Sequence, residues 1–213
     1  MQHQVAQALL KIGAVGFKPQ QPITFKSGII SPVYVDNRIF PSHPAEWKII
    51  INSFAHLIKE EKINFDVLAG IETAGIPHSA ALGFKLQKPS VFIRKKAKDH
   101  GTKKMVEGGE VKKKTVLLIE DLVTTGGSSL HGVEELRAAQ AKVKDCLVIV
   151  SYGFEESVQA FKKAEVRLHA LTTFPVILAE ALKLKKFSSA EKILIEDWFL
   201  DPWNWGKKHG FTQ

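Results

Sequence analysis

The sequence predicts an α/β fold: a central parallel sheet flanked by helices, with a small N-terminal hood. Five short apolar runs carry that expectation: FDVLAG from Phe65, SVFIR from Ser90, TVLLIE from Thr115, DCLVIVS from Asp145 and VRLHALT from Val166. Continuous apolar strands of this kind belong to a sheet covered on both faces. Their starts lie about 20–30 residues apart, which leaves room for one right-handed crossover helix between successive parallel strands. The intervening segments carry the helical signals that such crossovers need. Ser42 and Pro44 open a helix whose Trp47, Ile50, Ile51, Phe54, Leu57 and Ile58 form an apolar stripe. Pro77 begins another, and Ser128 or Ser129 caps a third that runs through His131, Leu136 and Ala139.

The outer parts of the chain read differently. Residues 1–40 predict a helix through Val5, Leu9 and Ile12, then short strands around 23–25 and 33–35 punctuated by Pro19, Pro22, Gly28 and Pro32. This is the hood. Residues 41–185 form the α/β core, and 186–213 a capped helix with an aromatic tail, the whole being one compact domain. One interval breaks the alternation: between Arg94 and Thr115 the chain is rich in Lys and Gly and poor in apolar residues, the mark of a long functional loop.

Composition excludes several classes. The chain has 213 residues, 45% hydrophobic and 24% charged, enough to bury a core without a covalent or metal staple. Cys146 is the single cysteine, so disulfide scaffolds and cysteine-rich zinc modules are ruled out, and a reducing cytoplasm is expected. The purest apolar runs, VLLI and CLVIV, are too short to cross a bilayer, and MQHQVAQALLKIG has no leader pattern. The net charge of +8 favours anionic partners, and the cations cluster at Arg94, Lys95, Lys96, Lys98, Lys103 and Lys104.

The most informative segment is TVLLIEDLVTTGGSSL, residues 115–130. A buried strand ends at Glu120 and Asp121, passes through a Thr, Gly and Ser turn, and enters a helix. Backbone N–H groups freed by the glycines, the hydroxyls of Thr124, Thr125, Ser128 and Ser129, and the positive end of the helix dipole converge into an anion cradle suited to a phosphate. Two acids beside it would repel that phosphate unless they face something else. Vicinal hydroxyls or a metal-bound sugar are the natural candidates, and the pair suggests a ribose. Neither GxGxxG nor GxxxxGK is present, and a bare tight turn accounts for the glycines but not for the acids.

This segment resembles the 5-phosphoribosyl-1-diphosphate (PRPP) motif of the type I phosphoribosyltransferases. FKSGIISPVYVDNR, residues 25–38, and IRKKAKDHG, residues 93–101, narrow the resemblance to orotate phosphoribosyltransferase, and the DWFLDPWNW ending is similar to that of some bacterial members. The resemblance implies the type I phosphoribosyltransferase fold and an enzyme of pyrimidine biosynthesis. Its PRPP-binding residues would be Arg94, Lys95, Lys98, His100, Glu120, Asp121, Leu122, Val123, Thr124, Thr125, Gly126, Gly127 and Ser128. Within that set Glu120 and Asp121 would bind the ribose hydroxyls, and Lys98, His100 and Asp121 would be catalytic. Orotate would meet Lys26, Tyr34, Val35 and Thr124, and Glu72, Thr73, Ala74 and Gly75 would form the diphosphate loop. Lys98 and His100 would reach the partner subunit's site in a homodimer. Two departures stand out: Ala74 replaces a Lys that some members carry, and Phe154 stands where others have an orotate-contacting Arg.

The chemistry agrees with that implication. Breaking the C1–diphosphate bond builds negative charge on the leaving group, so the site needs cations there, from lysines, His100, Arg94 and Mg²⁺ held mainly by PRPP itself. No dedicated protein metal cage is expected. Other residues read as structural: Trp198, Trp203 and Trp205 as a hydrophobic clasp, His78 and His169 as structural or exposed, Cys146 as inert packing, and Lys112, Lys113 and Lys114 as solvated. The competing readings are a phosphoribosyltransferase for another base, a PRPP-sensing regulator that binds nucleic acid, and a silent binding protein. The densest basic cluster adjoins the PRPP motif and no separate nucleic-acid module is visible, so neither nucleic acid nor membrane is expected as a partner.

Overall fold

The structure, a computed structural model, describes residues 1–25, 27–95 and 105–211. Lys26, Lys98 and His100 therefore lie outside the described residues.

The chain begins with α1 (Gln2–Lys11), followed by the hood strands β1 (Val15–Phe17), β2 (Ile23–Thr24), β3 (Ile30–Ser31) and β4 (Val33–Val35) and a 3₁₀ turn, Asn37–Ser42. Next come α2 (Pro44–Glu60), β5 (Val67–Ile71), α3 (Gly75–Leu86), β6 (Ser90–Ile93) and β7 (Val106–Glu107). The second half of the core is β8 (Thr115–Val123), α4 (Gly127–Ala138), β9 (Lys142–Ser151), α5 (Glu155–Lys163), β10 (Arg167–Thr173) and α6 (Phe174–Lys183). It closes with α7 (Ser189–Leu200) and α8 (Trp205–Lys208).

All five predicted core strands form, and they lie in one six-stranded sheet of order β10-β9-β8-β5-β6-β7, parallel except for β7. From β5 the chain moves one way, to β6 and β7. It then returns to the other side of β5 as β8 and continues outward to β9 and β10. β5 and β8 thus flank a topological switch point, and the crevice beyond their carboxyl ends is where open α/β sheets place ligands.

Strand alternation feeds two cores. Leu117 and Ile119 join Val5, Leu9, Ile50, Phe54 and Ile177 from α1, α2 and α6 on one face. Val116 and Leu118 join Val133, Leu136 and Phe161 from α4 and α5 on the other. A third cluster joins Ile29 and Val33 of the hood to Tyr152, Phe154 and Phe174 and, from the C-terminal helices, Ile195, Trp198 and Trp205.

Several expectations are corrected. α3 begins at Gly75, so Pro77 is its third residue. α4 begins at Gly127 with Gly126 as its N-cap, which places Ser128 and Ser129 inside the first turn, where they do not cap it. Ser42 does not open α2. Its hydroxyl donates to the Ile39 carbonyl at 2.7 Å and closes the 3₁₀ turn, leaving His43 at the N-cap and Pro44 at the first helical position. The interval after Arg94 includes a return strand, with Phe92 opposite Glu107 and Ile93 opposite Val106. Two of the three tryptophans form the clasp. Trp198 and Trp205 are buried, but Trp203 is half exposed and donates to Glu156.

Candidate active site

β8 runs past the point where the apolar pattern stops, so Glu120 and Asp121 sit on the strand itself. Pairing with β5 ends at Ile119, which opens the strand's flank to the crevice. Both acids line one cleft of about 430 Å³, together with Val35, Asp36, Arg38, Glu72, Thr73, Ala74, Lys95, Leu122 and Ser128. Glu120 is 6% exposed and its Oε1 accepts the Asp121 N–H at 3.1 Å. Burial first, and then the neighbouring Asp121 charge, hold its carboxyl well above the usual carboxylate range. A neutral Glu120 can donate a hydrogen bond, so the pair offers a donor and acceptors to sugar hydroxyls.

The turn after β8 makes the second part of the crevice. A hollow of about 260 Å³ is bordered by Ser27, Leu122, Val123, Thr124, Thr125, Gly126, Gly127, Ser128 and Ser129. Gly126 has φ 87°, a left-handed conformation that suits glycine, and no side chain caps α4. The first-turn N–H groups therefore face the hollow at the positive end of a twelve-residue helix. A third hollow of about 170 Å³, which includes Arg94, Lys95, Gly127 and His131 in its lining, adjoins these. Ser128 borders all three.

The loop after β5 faces the acids. Glu72 takes the Lys95 N–H on Oε2 at 2.8 Å and donates its own N–H to the Ile93 carbonyl, which ties the loop to the end of β6. Gly75 is needed by contact: a Cβ there would lie 2.5 Å from the Ile119 carbonyl oxygen, so only glycine lets α3 start this close to β8. Arg94 pairs with Glu107 of β7 at 3.1 Å and also borders the smallest hollow.

The structure therefore brings together Glu72, Thr73, Ala74, Arg94, Lys95, Glu120, Asp121, Leu122, Val123, Thr124, Thr125, Gly126, Gly127, Ser128 and Val35. Tyr34 is placed apart from them. Its ring lies where a Cβ on Gly16 would be, beneath Lys18 at 5.5 Å. Phe154 is 6% exposed and packs on Tyr152, Trp198 and Phe199, away from the three hollows. His78 is fully buried. Its Nδ1 accepts the Trp47 indole N–H at 2.9 Å, and burial pushes its pKa down to about 4. Cys146 is buried and its thiol is pushed up by desolvation, as inert packing requires. His169 bonds Asp145 at 2.8 Å.

Sequence reasoning missed three residues of the hood. Arg38 lines the cleft and is held by Asp36, and buried Asn37 donates its side-chain N–H to the Asp121 carbonyl at 3.0 Å. The signal available was the Asp-Asn-Arg run directly after β4.

Sheet order, switch-point crevice, paired acids and anion cradle together define a protein that handles a phosphorylated sugar. The phosphoribosyl transferase domain family matches residues 39–171. An orotate phosphoribosyltransferase of Listeria innocua is 39% identical over 207 residues, covering 97% of this chain and 99% of the relative. The crystal structure of orotate phosphoribosyltransferase from Aeropyrum pernix matches with a TM-score of 0.74 and 29% identity, covering 86% of this chain and 99% of that one. The structure of Leishmania donovani UMP synthase matches with a TM-score of 0.81 and 26% identity over 92% of this chain and 42% of that protein. The chain belongs to the phosphoribosyltransferase family and, within it, to the orotate phosphoribosyltransferases.

Proposed function

We propose that the protein transfers the 5-phosphoribosyl group of PRPP to N1 of orotate, giving orotidine 5′-monophosphate and diphosphate for pyrimidine biosynthesis. The C1–O bond breaks with its electron pair leaving on the diphosphate. N1 of orotate, having lost its proton, supplies the pair for the new C1–N bond, with inversion. The observation that carries this reading is the crevice centred on Ser128, where the paired acids, the uncapped helix start and Lys95 meet.

In this reading the first turn of α4, with Thr124 and Thr125, holds the 5-phosphate, and Glu120 and Asp121 hold the ribose hydroxyls. This fixes C1 between the base and the leaving group. Cations then stabilise charge as it develops on the diphosphate, which lowers the barrier more than tighter ground-state binding would. Lys95 serves this end of the cleft. Lys98 and His100 complete it from the partner subunit of a homodimer, closing the site to water. Lys26 meets the base.

The donor set fits magnesium carried by the substrate. Among the described residues no three His, Cys, Asp or Glu side chains gather as a cage. Asp36 is taken by Arg38 and Glu72 by the Lys95 N–H, so Asp121 is the carboxylate that would approach such an ion. When bound, magnesium supplies positive charge to the diphosphate oxygens. Among the described residues no helix is long and apolar enough to cross a membrane. A cytoplasmic location is proposed on the single free cysteine, which suits a reducing compartment.

The test is diphosphate release from PRPP with magnesium and orotate, uracil or a purine. Orotate should exceed the others by orders of magnitude, and Asp121→Asn and Lys98→Ala should cut turnover at least about a hundredfold while thermal melting is unchanged. Equal use of another base, or near-wild-type turnover in both variants, contradicts the reading.

A further inference from the structure

The cleft beside Asp121 poses an electrostatic problem. Four carboxyl side chains line it, from Asp36, Glu72, Glu120 and Asp121, and Ala74 brings no charge to the turn after β5. A sugar carrying a diphosphate cannot rest there without cations. The described residues of the lining supply two, Lys95 and Arg38.

Arg38 is built into place. Its Nε donates to Asp36 Oδ1 at 2.7 Å and its Nη2 to Asp36 Oδ2 at 2.9 Å, a two-pronged hold that fixes the guanidinium plane. Asp36 is anchored by its own N–H to the Ala14 carbonyl at 2.7 Å and also receives the Arg38 N–H. Between them, Asn37 is 0% exposed and clamps the Asp121 carbonyl on the flank that β5 has vacated. Three consecutive residues thus tie the hood to the acid strand, and the third carries a positive charge in the cleft that Asp121 also lines. A guanidinium has five N–H donors. Asp36 takes two prongs, which leaves both Nη1 donors and one on Nη2 for a ligand.

We infer that Arg38 grips the diphosphate end of the phosphoribosyl donor, acting beside Lys95 as the cation that the turn at Ala74 does not provide. Two cations on one cleft match a polyanion better than a single carboxylate, and a planar fork matches phosphate oxygens. This inference rests on the phosphoribosyl-transfer reading above.

The test uses the full chain with Arg38→Ala and Arg38→Lys. Arg38 has a side chain 70% exposed, so both variants should melt with the wild type. Arg38→Ala should raise KM for PRPP, and in the reverse direction for diphosphate, about tenfold, with KM for orotate within about twofold. Arg38→Lys should recover only part of the loss, because an ammonium keeps the charge and not the fork. Calorimetric titration with inorganic diphosphate should show the same weakening. Unchanged diphosphate affinity, full recovery by Lys, or a rise confined to KM for orotate would each overturn the assignment. Should the wild type make no nucleotide from orotate, the functional reading fails, while the titration still decides whether Arg38 binds diphosphate.

Discussion

Adjacent glycines in the phosphate turn should respond in opposite ways to the same substitution. At Gly126 φ is 87°, and a Cβ would sit 3.0 Å from Phe161 Cε2. Forcing an L-residue into that conformation costs about 1–2 kcal/mol before any contact with the ring is counted. At Gly127, the first residue of α4, no heavy atom lies within 4 Å of the added Cβ and φ is not positive. Alanine there reduces the freedom of the unfolded chain and is helix-compatible, a gain of about 0.5 kcal/mol. The gap between the variants is then about 1.5–2.5 kcal/mol. For a chain of this size it corresponds to about 3–10 °C in Tm. Calorimetric or circular-dichroism melts of Gly126→Ala and Gly127→Ala, side by side, measure it. Melting points within about 2 °C of each other, or the reverse order, would refute the assignment of the left-handed position to Gly126.

Three further outcomes follow from burial and hydrogen bonding. His78 is held neutral, with its pKa down from 6.5 to about 4, so its contribution of about 3 kcal/mol is present above pH 6.5 and lost as pH falls toward 4; His78→Gln should flatten that acid limb in urea melts. Glu120 has the opposite sign. Its raised pKa means stability that is complete below 4.5 and declines as pH rises through the folded value, so Glu120→Gln should gain on the wild type between pH 5 and pH 8 in the same melts. Trp198→Phe removes the indole N–H that reaches the Ile30 carbonyl at 2.9 Å and should cost about 1–3 kcal/mol by denaturant titration.

The parts of the fold that could be read from residues alone are those whose physics is local. Val116, Leu117, Leu118 and Ile119 are apolar on both faces because both faces are covered, and such a run admits little else. The preference of Ser for N-caps points to Ser128 or Ser129 as the cap of α4, yet Gly126, at positive φ, takes that position and leaves the helix start open to a ligand. β7 escaped notice because two residues carry no periodicity, and their strand character comes from pairing with β6. Within the site, the acids and the cradle were legible, since a carboxylate pair before a Gly and Ser turn has few structural uses. Asn37 and Arg38 were not. The Asp121 carbonyl needs a donor only because the pairing of β8 with β5 stops at Ile119, a fact of strand lengths brought together from distant parts of the chain. At Tyr34 the side chain follows strand alternation: its neighbour Val35 borders the cleft, while the ring turns onto Gly16.

The indole of Trp198 reaches a carbonyl 168 positions earlier in the chain, and Phe25 leans edge-on against the same ring at 6.2 Å. The hood is therefore fastened by a helix from the far end of the polypeptide, whereas the sheet, with its acids and glycine turn, is finished by Thr173. A protease nick between α6 and α7 would leave that fastening to side-chain packing and the Trp198 hydrogen bond alone.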